Sequence, residues 1–136
     1  MPTRGDGTDG EETPGSARYV FGVTVRFEPA EPYGVDPATV ETTLTREAEP
    51  PGEDGWLFFR DHLWRGELGD ERFMRERAEA ALGVTVESVD FRELRTDQAY
   101  LDALEAEIIA DLDRFNADSV REVRNKYLGS SIRVRQ

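Results

Sequence analysis

The chain has 136 residues, with 29 Asp and Glu against 16 Arg and a single Lys, and a formal net charge of −12. It has no Cys and one His, which excludes disulfides, thiolate nucleophiles and any multi-His metal site. No apolar run approaches the roughly 18 residues that span a membrane, and the first 17 residues lack the apolar core of a secretion signal.

Residues 1–17 are mostly Gly, Asp, Glu, Thr and Pro, the composition of a disordered acidic tail, so residues 18–136 are expected to form a single domain. In Tyr19–Glu28 the apolar side chains Tyr19, Phe21, Val23, Val25 and Phe27 share one parity, which predicts a strand with one buried face. Asp36-Pro37 reads as an N-cap and first helical residue, and Val40 and Leu44 at i, i+4 suggest a short helix to about Glu47. The threonines there argue instead for a strand over 40–45. After the Pro- and Gly-rich break at 49–55, Trp56–Arg65 is apolar on both parities, which predicts a strand covered on both faces.

Asp70 is expected to cap a helix to about Leu82, with Met74, Ala78, Ala81 and Leu82 inward and Gly83 just past its end. Val84–Leu94 reads as a strand whose apolar parity switches between Val86 and Val89, which implies a bulge near Ser88. Thr96 or Asp97 opens the longest helix, to about Phe115, with Leu101, Leu104, Ile108, Leu112 and Phe115 along one face. Ser119 and Glu122 have capping-box spacing for a short helix with Val120, Val123 and Tyr127 inward, ended by Gly129. Ile132 and Val134 alternate with arginines in a closing strand. The order predicts an α+β fold: a compact two-layer sandwich, with a small mixed sheet of about four strands and the helices packed on one face.

The charge balance speaks first to solvent. An acidic excess of this size repels itself in dilute buffer. At about 1 M salt the Debye length falls to roughly 3 Å and most of that repulsion is screened. With almost no Lys, the surface suits a halophilic cytoplasm; the competing reading is an acidic partner-binding or nucleic-acid-mimicking surface. The charge is also uneven. Residues 114–136 hold six basic and two acidic groups, a net +4, which leaves −16 on residues 1–113.

Catalytic signatures are absent: there is no Gly-x-Ser-x-Gly elbow, phosphate loop or calcium loop, and no cofactor or metal is expected. One enzymatic alternative remains, His62 acting with the neighbouring Asp61. Two features point to recognition. In Leu63-Trp64-Arg65, an indole stands beside a guanidinium that can stack or fork onto an anion. The basic segment Arg121, Arg124, Lys126, Tyr127, Arg133 and Arg135 suits phosphate or RNA. An RNA-binding surface expects those cations to converge, whereas pairing with acids from residues 1–113 makes them internal counter-charges. A protein or RNA partner is thus the leading expectation, with a homo-oligomer as a further alternative.

Three segments carry a resemblance: Leu63-Trp64-Arg65, the opening Tyr19-Val20-Phe21-Gly22, and the run from Asn125 to Val134. Together they resemble the LWR-salt protein family over about residues 18–135. The resemblance implies a haloarchaeal, salt-filled cytoplasm. It transfers no catalytic residues.

Overall fold

Strand β1 (Ala17–Phe27) is the second strand of a four-stranded mixed sheet of order β2–β1–β5–β6. A computed structural model describes residues 15–27 and 38–135. The remaining elements are β2 (Ala38–Glu47), α1 (Phe58–His62), β3 (Leu63–Trp64), β4 (Glu67–Leu68) and α2 (Glu71–Leu82). They are followed by β5 (Thr85–Asp97), α3 (Gln98–Ala110), a 3₁₀ turn (Leu112–Phe115), α4 (Val120–Tyr127) and β6 (Ile132–Arg135). β1 pairs antiparallel with both β2 and β5, and β6 lies parallel to β5. The fold is α+β.

Period-two patterning builds the core. Ala17, Tyr19, Phe21, Val23 and Val25 of β1 are buried on the face the helices cover. Across from them on β5 stand Val86, Val89, Phe91 and Leu94. These four do not share one parity because β5 carries two register shifts, leaving Glu87 and Arg92 without partners on β1. The bulge expected near Ser88 is present at Glu87, and the second restores the original parity so that Leu94 and Thr96 again point inward. Where β6 does not reach, carboxylates of α2 serve the edge of β5: Glu79 accepts from Val86 N and Glu71 from Val89 N, both at 2.9 Å.

The structure decides one open segment and corrects one expectation. The segment left open between helix and strand is β2, from Ala38 to Glu47; Asp36-Pro37 lies outside the described residues. Val40 and Leu44 share a face at i, i+4 in a strand as well as in a helix, and four threonines favour the extended form. Trp56–Arg65 is not a strand. It is a turn, the single helical turn α1 and a two-residue strand, with Trp56, Phe59 and Leu63 buried. Those three sit at i, i+3 and i+7, a helical spacing that the dense aromatics on the other positions obscure.

The other helices form where expected. Asp70 accepts from Phe73 N to cap α2, and Gly83 closes it in the left-handed conformation. The long helix opens at Asp97 but ends at Ala110, and Leu112–Phe115 continues as 3₁₀ so that Phe115 becomes fully buried. There Phe115 stacks on Phe59 at 5.8 Å and meets Trp56 edge-on at 6.0 Å.

Asp97 joins three parts of the fold. Its carboxylate accepts from Tyr100 N at 2.7 Å, capping α3, and from the backbone N–H groups of Gly15 and Ser16 at 3.0 and 3.2 Å. Burial alone would raise this carboxyl; the three N–H donors and the charge of Arg135 outweigh it and hold it below its usual range.

A candidate anion-binding cleft beside Trp64

β3 and β4 form a hairpin closed by only two residues, Arg65 and Gly66. Both have positive φ, 54° and 82°, the pattern of a type I′ turn. Asn-Gly is the usual occupant of such a turn, and here Arg takes the Asn place. The turn is anchored on the end of α4. Arg65 N donates to Lys126 O at 2.8 Å and Gly66 N to Tyr127 O at 2.9 Å, satisfying carbonyls that the helix leaves open. The approach is so close that a Cβ on Gly129 would lie 3.1 Å from Arg65 O, and one on Gly66 3.1 Å from Leu128 O.

α4 supplies the opposite wall. Ser119 caps it by accepting from Glu122 N at 3.1 Å, while Glu122 accepts from Asp118 N at 3.0 Å. Val123 is fully buried, which turns Arg121, Glu122 and Asn125 outward. The side chain of Lys126 donates to the carbonyls of Phe115 and Asn116 at 3.0 and 3.2 Å, fixing its ammonium beside the 3₁₀ turn.

Between these walls lies a cleft of about 470 Å³ lined by Trp64, Arg65, Ser119, Arg121, Glu122, Asn125 and Lys126. Trp64 remains 48% exposed. Its ring meets Tyr127 edge-on at 6.0 Å, and Tyr127 in turn packs on Phe59 and Phe115, so the exposed indole rests on the aromatic core. The Arg65 guanidinium lies 5.6 Å from the Trp64 ring centroid. Among the described residues the lining holds three cations and one carboxylate. Among the described residues no carboxylate lies within ion-pair distance of Arg65 or Arg121.

The candidate residues therefore divide. Trp64, Arg65, Arg121 and Lys126 come together, with Tyr127 and the buried Leu63 beneath them. Arg124 points elsewhere and pairs with Glu105 at 2.7 Å. Arg133 pairs with Glu93 at 3.0 Å on the sheet face away from the helices, where Arg135 also lies. Burial would raise Glu93; hydrogen bonds from Arg133 and Arg95 overcome it and keep the carboxyl low. Ser119, Glu122 and Asn125 were not among the site candidates. The signal for two of them was helical spacing, since Arg121 and Asn125, and Glu122 and Lys126, are i, i+4 pairs on one face.

Among the described residues no hydrogen bond joins His62 to Asp61. Asp61 accepts from Arg60 at 2.9 Å, while the His62 ring stacks on Phe73 at 5.6 Å and meets Phe58 at a tilt, 4.5 Å between centroids. Among the described residues no cluster of His, Asp or Glu is arranged to hold a metal ion, and no helix is long and apolar enough to cross a membrane.

Fold and cleft together define a small α+β domain with a basic recess walled by an exposed indole. A family model described as LWR-salt protein matches residues 15–136, and the chain belongs to that family. Neither the curated proteins nor the solved structures gave a match.

Proposed function

We propose that this is a halophilic, cytoplasmic, non-enzymatic binding domain whose cleft beside Trp64 takes an unpaired nucleotide of RNA. The observation that carries the reading is the convergence of Arg65 and Arg121, neither paired with a carboxylate among the described residues, beside a half-exposed indole. On a chain of net charge −12, a recess with three cations and one acid favours an anion. The indole gives a base a stacking surface, and the guanidiniums give a phosphate forked donors. Such short-range contacts matter in concentrated salt, where binding through net charge alone loses orders of magnitude by counterion release.

The test uses tryptophan fluorescence in molar KCl. Trp56 is buried, at 7% exposure, and Trp64 is exposed, so a short single-stranded oligoribonucleotide should quench Trp64 selectively. Trp64→Ala should weaken binding, followed by anisotropy of a labelled RNA, about tenfold, as expected for loss of one stacked base. Arg121→Glu should abolish binding. Unaltered affinity in both variants would overturn the reading.

A further inference from the structure

A second recess opens on the opposite side of α1. α2 packs on β5, whereas the edge strand β2 rests on β1, and the inner face of β2 at Val40 and Leu44 is left only partly covered. The resulting cavity of about 280 Å³ has an apolar floor that includes Phe21, Leu44, Phe58, Met74 and Val89. Its polar groups are Arg46, His62, Arg77 and Thr45. Among the described residues no carboxylate lines it.

The three basic groups differ in availability. Arg46 lies over the Phe58 ring at 4.2 Å and is forked onto Glu49 at 3.2 and 3.3 Å, so its charge is already met. Arg77 lies 5.7 Å from the centroid of Phe73 and pairs with no carboxylate among the described residues. The ring of His62 stacks on Phe73 and meets Phe58 at a tilt, and among the described residues its nitrogens make no hydrogen bond. The recess thus combines an apolar floor with an uncommitted guanidinium and an uncommitted imidazole at its mouth.

We infer that this cavity binds a small amphiphilic carboxylate, with a short alkyl or single-ring body on the floor and its head group on Arg77 and His62. A guanidinium matches a carboxylate in shape as well as charge. The volume is at the small end for ligand pockets, which limits the body to a short chain or one ring. Concentrated salt screens the head-group contact and strengthens apolar burial, so the body supplies most of the affinity in a halophile's cytoplasm.

The single histidine makes the experiment direct, because His62 gives one imidazole Hε1 proton signal. Sodium octanoate titrated into the protein in molar KCl, below its micelle threshold, should shift that signal to saturation. Hexanoate should bind about fifteenfold more weakly, since it has two fewer methylenes and each buried methylene is about fourfold in affinity. Octylammonium should bind at least about tenfold more weakly than octanoate, and Arg77→Gln should weaken octanoate about tenfold while leaving octanol unchanged. Ala81 is an exposed lining residue, and Ala81→Phe should block the shift without disturbing the fold. Trp64→Ala should leave octanoate binding intact, because Trp64 lines the other recess. An unmoved His62 signal, equal affinity for octylammonium, an indifferent Arg77→Gln, or undiminished binding in Ala81→Phe would each overturn the assignment.

Discussion

Arg65 holds a backbone conformation that glycine would hold more easily, so its side chain can be weighed against its strain. A left-handed residue costs a non-glycine roughly 1–2 kcal/mol. Arg65→Ala keeps that strain and loses the guanidinium from over Trp64, worth about 0.5 kcal/mol at an exposed site. Arg65→Gly loses the same contact but relieves the strain, at a cost of about 0.4–1 kcal/mol in added unfolded-state freedom. The glycine variant should therefore be the more stable of the two by about 1 kcal/mol, or roughly 3–5 °C in Tm for a domain of this size. Both should lose RNA affinity equally, since neither has a guanidinium. Thermal unfolding followed by circular dichroism in molar KCl gives the first comparison, and anisotropy with the oligoribonucleotide gives the second. Equal stability of the two variants would refute the strained turn. Wild-type affinity in both would refute Arg65 as a contact.

Asp97→Ala removes one helix cap and the acceptor for Gly15 and Ser16, and should cost about 2 kcal/mol in urea unfolding. Because the folded carboxyl is held low, its contribution is complete above the unfolded value of about 3.9 and fades as pH falls from there through the folded value. The variant should show a shallower acid limb of stability, and an acid limb as steep as the wild type's would contradict the assignment. The net charge of −12 predicts that Tm falls as KCl drops from molar to millimolar; a flat profile would sink the halophile reading.

Much of the fold was legible because its elements bury one face. β1, α2, α4 and β6 each show a single periodicity together with its caps, and the structure keeps them close to their expected ends. The segment around Trp56–Trp64 was not legible because five aromatic rings lie among nine residues there, and with Leu57 and Leu63 they satisfy period two and period 3.6 together. Its buried stripe depends on which faces Phe115 and Tyr127 offer, and those come from more than fifty residues away. The site was half legible. Trp64, Arg65, Arg121 and Lys126 stand out by composition, yet their meeting depends on main-chain contact between Gly66 and the Leu128–Gly129 corner. The separation of Arg124 and Arg133 from the cleft rests on Glu105 and Glu93, two carboxylates among 29 that nothing local distinguishes.

The hydrogen bonds joining the Arg65–Gly66 turn to α4 run from backbone to backbone. They fix the separation of the two walls without calling on the side chains that line the cleft. The lining at positions 121 and 125 is thus free to change while the recess keeps its width. A few substitutions there would change the chemistry of the recess and leave its frame untouched. The corner acts as a mount, and the side chains on it are replaceable fittings.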